Sequence, residues 1–215
     1  MEKAPFGFLT LLLFGFILGL RHAFETDHIA AVSSMVSQTR SLKRASFFGI
    51  AWGLGHTFVL LVSGILVLAF KLTIPKQLAN LSELLVGVVL VLVGIDALLG
   101  RKNNIHAHVD KRQTTLNIYK AFSIGVLHGL AGSAALIILI STAVGTLAAG
   151  VVFMLLFGTG SILGMVATSM MIAIPLRHTL KLSQINRALK IIVGGASILI
   201  GLGILFTFRA SLLKF

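Results

Sequence analysis

Arg21-His22-Ala23-Phe24-Glu25-Thr26-Asp27-His28 places five ionisable side chains in eight positions, with apolar sequence on both sides. A charge at the middle of a bilayer costs about 2.5–3.5 kcal/mol on insertion scales, so such groups face a cavity and serve a purpose there. A loop between two short helices would be the plainer reading. Against it, Phe6–Leu20 has 15 residues, about 22 Å as a helix, which is short for a hydrocarbon core of about 30 Å. The segment therefore reads as the interrupted middle of one span running from about Phe6 to Ser37.

Outward from that segment the chain is lipid-like. Of its 215 residues 57% are hydrophobic and only 11% charged, with a mean hydropathy of +1.02; soluble domains carry about a quarter charged residues. Five further apolar runs follow, at about Ala45–Phe70, Leu81–Gly100, Ile118–Val144, Leu147–Ile174 and Ile191–Phe208, with Gly145-Thr146 as a minimal turn. The expected fold is an all-α polytopic membrane protein of six transmembrane helices in a single membrane domain, residues 1–215. Met1–Leu20 has the look of a signal peptide, but Arg21-His22 follows it in place of a small-x-small cleavage site, so the first span is expected to be retained.

The net charge of +12 invites a nucleic-acid reading. The Lys and Arg residues sit instead in short loops between apolar runs, with no basic stripe interleaved with aromatics, so a nucleic-acid partner is not expected. Twelve of them follow spans one, three and five; five lie on the other side, and Arg21 is inside a span. The positive-inside bias then predicts both termini outside and the Arg101–Lys120 loop in the cytoplasm of a cell-membrane protein. Cysteine is absent, which removes disulfides and thiol redox chemistry.

Three-span halves, about 6–100 and 118–209, repeat one another. Gly19-x-x-His22 returns as Gly125-x-x-His128, Trp52-Gly53-Leu54-Gly55-His56 as Phe157-Gly158-Thr159-Gly160-Ser161, and Gly87/Gly94 as Gly194/Gly201, at offsets of 106, 105 and 107. An odd number of spans per half makes the repeats inverted, an architecture of transporters whose site lies near the bilayer midplane. His22 and His128 are then expected to face each other near the centre.

Imidazole and carboxylate together suit a borderline transition metal, whereas magnesium and calcium favour all-oxygen sites. His22, Asp27, His28, His56 and His128 are the expected ligands. On a regular helix His22 and His28 would lie about 120° apart with a rise of about 9 Å, so a shared ion requires a break between Leu20 and Ala30. His56 and His128 each lie within a span beside glycines. Arg21 and Glu25, at i and i+4, form either a structural ion pair or part of the site. Ser133 and Ser161 are candidates to hydrogen-bond the ligands, with helix packing as their plainer role. His106-Ala107-His108-x-Asp110 is either a weak metal-binding loop or a solvated one. Glu83 and Asp96 near span ends need no special role, and Met154, Met165, Met170 and Met171 read as packing.

The frame Arg-His-Ala-x-x-x-Asp-His-Ile around His22, Asp27 and His28 resembles the helix signature of the nickel/cobalt permeases. Gly53-Leu54-Gly55-His56-Thr57 resembles their glycine–histidine motif, and Gly125–Ser133 is similar to the six-span urease accessory permeases of the UreH type. The resemblance covers all six spans. It implies uptake of nickel or cobalt for metalloenzyme maturation, with His22, Asp27, His28 and His56 in the ion path. This chain has Glu25 and Thr26 where that family usually has Asp and Ala, and it lacks the extra spans and motifs of the longer permeases.

Other classes fit less well. A six-span thiol–disulfide carrier needs membrane cysteines. An exporter would have a longer histidine loop than His106/His108, although ligands do not fix direction. A metal sensor has no use for a three-span repeat. With no P-loop, the chain is not expected to be an enzyme or to hydrolyse ATP; it could be the membrane component of a larger metal-transport assembly. No cofactor is expected beyond the transported Ni2+ or Co2+, and the metal, the coupling ion and homo-oligomerisation are left open.

Overall fold

The computed structural model describes residues 8–37, 39, 41–72, 75–99, 111–143, 146–178 and 183–212. These residues form seven helices and no strand: α1 Phe8–His22, α2 Thr26–Val36, α3 Leu42–Phe70, α4 Lys76–Leu99, α5 Lys111–Ala143, α6 Leu147–His178 and α7 Ser183–Leu212. Four of them are long and apolar enough to cross a membrane, over Leu42–Phe70, Gln77–Leu99, Leu147–His178 and Gln184–Arg209; Leu12–His22 is a shorter apolar helix. The chain is a multi-pass helical membrane protein.

The helix ends are set locally. Ser41 caps α3 by accepting from the Arg44 N–H. At its far end Lys71 takes a left-handed conformation (φ 52°), and the Lys71 and Leu72 N–H groups both return to the Val67 carbonyl. This closes the orphan carbonyls of the last turn. Thr146 accepts from the Ala149 N–H and starts α6. The helices outrun their apolar runs because polar first and last turns continue the same backbone ladder. That effect is largest in α5, where Lys111–Lys120 is helical and not the loop expected from its charge. The remainder of that loop, with His106, His108 and Asp110, and also Gly145, lies outside the described residues.

α3 and α6 form the centre: α3 packs on α5 and α6, and α6 also packs on α1. α4 pairs with α7, joined by the Ser197 hydroxyl donating to the Leu90 carbonyl at 2.8 Å. α2 touches α3, α4, α6 and α7, and His28 and every residue from Ala30 to Val36 are buried. It is a half-helix enclosed by protein.

Glycine makes the close contacts, as expected where lipid offers no hydrophobic drive between helices. A Cβ at Gly19 would run into the Phe157 carbonyl, and one at Gly125 into the Trp52 carbonyl. A Cβ at Gly55 would meet Phe122 and Val126 backbone; one at Gly160 would meet Phe16 and Leu20 backbone. Gly87 lies on the Gly201 carbonyl and Gly194 on the Gly94 carbonyl. Each contact therefore has a counterpart in which partners roughly 106 positions apart exchange places. The break after α1 has no such counterpart, since α5 runs unbroken.

Candidate metal centre

The site grows from the three residues between α1 and α2. The Phe24 N–H bonds the Arg21 carbonyl and the Glu25 N–H bonds the His22 carbonyl, at 2.9 and 3.0 Å. These i→i+3 bonds tighten the end of α1. Glu25 is then extended (φ −65°, ψ 150°), and its carbonyl accepts the first bond of α2 from Ile29. Glu25 occupies the N-cap position without a side-chain cap bond. Its carboxylate turns back to the Nδ1 of His22, 2.9 Å away. Asp27, in the first turn of α2, sits where the helix dipole favours an anion.

This break brings the His22 and His28 rings to 4.6 Å between centroids. One turn before the midpoint of α3, Trp52 leads by i, i+4 to His56, so both rings share a face. The His56 ring lies 5.0 Å from His22 and 5.6 Å from His28. One ligand nitrogen from each of His22, His28 and His56 falls within 4.8 Å of the others, close enough to hold one ion. Glu25, Asp27 and His28 make a second such group. From α5, His128 reaches His28 at 5.1 Å and Trp52 at 4.9 Å. Phe157 closes the other side, 5.4 Å from His22.

Nδ1 is occupied on three of the four imidazoles. That of His22 meets Glu25, that of His28 meets Asp27 Oδ1 at 3.1 Å, and that of His128 meets the Ile124 carbonyl at 3.2 Å. Partners that can only accept fix the proton on Nδ1 and leave the lone pair on Nε2. The Nε2 atoms of His28 and His128 and the Nδ1 of His56 are buried and have no hydrogen-bond partner among the described residues. Several bare nitrogens in a protein interior would be costly with nothing to bind. Neutral imidazoles beside a carboxylate are the donor set of a borderline divalent metal.

The remaining expected residues are distributed as follows. Asp27 orients His28 and lies 3.8 Å from His128 Nε2. Arg21 is exposed, and no ion pair joins it to Glu25 among the described residues; the break spoils the i, i+4 geometry on which that pair depended. His22 and His128 each pack on His28, and no ring contact between the two is present among the described residues. Ser161 is buried with a hydroxyl that has no hydrogen-bond partner, and the Ser133 side chain lies outside the described residues. Met154 and Met165 are core side chains, whereas Met171 is exposed. Trp52 and Phe157 were missed as site residues, although the i, i+4 spacing of Trp52 and His56 was visible in the sequence.

Residues 8–110 match the NicO family, described as high-affinity nickel-transport protein. The chain is 37% identical over 204 residues to the urease accessory protein UreH of Bacillus sp. (strain TB-90), covering 90% of each chain. It is 28% identical over 181 residues to the chloroplast protein FOR GROWTH AND FERTILITY 1 of Arabidopsis thaliana, covering 75% of this chain and 49% of that one. No solved structure matches. With residues 8–110 matched by the family and nearly its whole length shared with a relative, the chain belongs to the NicO family of high-affinity nickel-transport proteins.

Proposed function

We propose that the chain is a secondary permease that carries nickel into the cell for metalloenzyme assembly, with His22, Asp27, His28, His56 and His128 forming the ion's site. The observation that carries this reading is the convergence of His22, His28 and His56, with ligand nitrogens within 4.8 Å of one another. The family description supports nickel, and a urease accessory relative supports urease as its destination. Cobalt shares the ligand preference and is the competing substrate.

The architecture proposed for this task has six spans, α1 and α2 together forming the first, arranged as two inverted three-helix repeats with both termini outside. The exchanged glycine contacts support the repeat: Gly19 on Phe157 matches Gly125 on Trp52, and Gly55 on Phe122 matches Gly160 on Phe16. Backbones in direct contact suit halves that rock as rigid bodies about a central site. Lone pairs on neutral imidazoles replace the ion's hydration shell, and Glu25, 56% exposed, gives an arriving cation its first carboxylate. A membrane potential negative inside drives a doubly charged ion inward with about 4.6 kcal/mol per 100 mV, so no nucleotide is needed.

Nickel uptake into proteoliposomes under an inside-negative potential, with cobalt, zinc and manganese as competitors, tests the reading. Wild-type protein is expected to take up nickel, with cobalt the strongest competitor. His28→Ala should abolish uptake while the protein stays inserted and monodisperse. A His28→Ala protein that still transports at the wild-type rate would reduce the cluster to a structural polar knot.

A further inference from the structure

Next to His28, two electron-rich atoms approach each other, Asp27 Oδ2 and His128 Nε2. Nδ1 of His128 must donate to the Ile124 carbonyl, because a carbonyl only accepts. The lone pair is therefore on Nε2, which is buried and has no hydrogen-bond partner. It lies 3.8 Å from Asp27 Oδ2, while the other Asp27 oxygen holds His28. Two acceptors cannot satisfy each other, and in a membrane interior an electropositive occupant is what such a pair lacks. The size is right for a metal ion: two bonds of about 2.1 Å span 3.8 Å at an angle of about 130°. The Trp52 indole N–H is also buried and has no hydrogen-bond partner among the described residues, and its ring is 4.9 Å from His128. It is placed to donate to an oxygen ligand, such as water, on an ion held there.

We infer that Asp27 Oδ2 and His128 Nε2 form a second seat for the transported ion, separate from the His22/His28/His56 seat and joined to it through the His28 ring. This rests on the reading of the chain as a nickel permease. The first seat is made of neutral nitrogens; the second adds a carboxylate. His28 belongs to both, directly through Nε2 and by way of Asp27 through Nδ1. His22 and His128, the matched histidines at an offset of 106, thus serve different seats. Two adjoining seats let an ion bind well enough to enter and weakly enough at each to leave.

The experiment compares nickel binding with nickel transport. Wild type, His128→Asn and His56→Asn are purified in detergent. Nickel affinity is measured by titration calorimetry, the number of bound imidazoles by X-ray absorption, and uptake in proteoliposomes. His128→Asn should keep the tight binding at the His22/His28/His56 seat, with its imidazole count, but lose uptake about tenfold or more. His56→Asn should lose affinity itself by about tenfold or more. A His128→Asn protein whose affinity falls as far as that of His56→Asn would overturn the inference, because both histidines would then serve one seat. So would undiminished uptake. Should His128→Asn fail to fold, Trp52→Phe keeps the ring and removes the N–H; it should slow uptake at unchanged affinity, and undiminished uptake would overturn the second seat. Wild-type protein that binds no nickel would remove the proposed function and this inference together, whereas the other failures remove the second seat alone.

Discussion

Replacing Gly55 by alanine adds one methyl group between α3 and α5, next to His56. That methyl would overlap the Phe122 carbonyl oxygen and stand 3.1 Å from both the Phe122 carbonyl carbon and the Val126 nitrogen. Carbon contacts are comfortable at about 3.5–4.0 Å. All three neighbours are backbone, so no side-chain rotation relieves the overlap and the helices must part. Overpacking of this kind costs about 1–3 kcal/mol. The better helix propensity of alanine returns about 1 kcal/mol, leaving a net loss of up to about 2 kcal/mol. Parting α3 from α5 also draws His56 away from His128, so uptake should fall along with stability. Gly195→Ala on α7 is the matched control. Nothing lies within 4 Å of the added methyl there, so only the propensity gain of up to about 1 kcal/mol remains. Thermal melting of both proteins in the same detergent should move in opposite directions. A Gly55→Ala protein that melts with or above the wild type would refute the backbone-contact account of this interface.

Glu25→Ala removes the acceptor that fixes the His22 tautomer; nickel affinity should drop about 10- to 100-fold, with Glu25→Gln, which still accepts, losing less. Because nickel binds the unprotonated imidazoles, protons should compete with it: affinity should weaken as the medium is acidified, and equal affinity across acidic and neutral pH would argue against histidine ligation. Single cysteines placed in residues 101–110 of this cysteine-free chain should react with an impermeant reagent only from the cytoplasmic side; labelling from outside would reverse the assigned orientation.

Composition, helical class and the need for a break were legible in the sequence because they depend on local quantities. Helix rise and angle alone separate His22 from His28, so a shared site demanded the interruption seen at Ala23–Glu25. What the break does to its neighbours was not legible. Helix spacing pairs Glu25 with Arg21, yet three residues off the helical path turn its carboxylate to His22. Asp27 looked like a plain ligand; only the folded arrangement gives one of its oxygens to His28 and aims the other at His128. The packing of both His22 and His128 on His28 is likewise tertiary, because a repeat offset matches positions and says nothing of which ring each one meets. The charge of Lys111–Lys120 suggested a loop, whereas a polar face is no obstacle to a helix that leaves the bilayer. Trp52 drew no functional reading because an aromatic at helical spacing is usually core, and its role rests on an unpartnered N–H that no sequence displays.

The exchanged glycine contacts have a consequence for inheritance. The glycine contacts come in exchanged pairs but the acidic residues do not: all six Asp and Glu residues lie within 1–110, and 111–215 contains none. The positions 106 residues beyond Asp27 and His28 are Ser133 and Ala134. A lesion at Gly19 leaves its counterpart at Gly125 in place, so half of that bracing survives. A lesion at Asp27 or His28 has no spare copy. In a screen of random variants, inactivating changes that spare the fold should therefore gather in the first half of the gene, while changes that merely loosen the fold should fall on both halves alike.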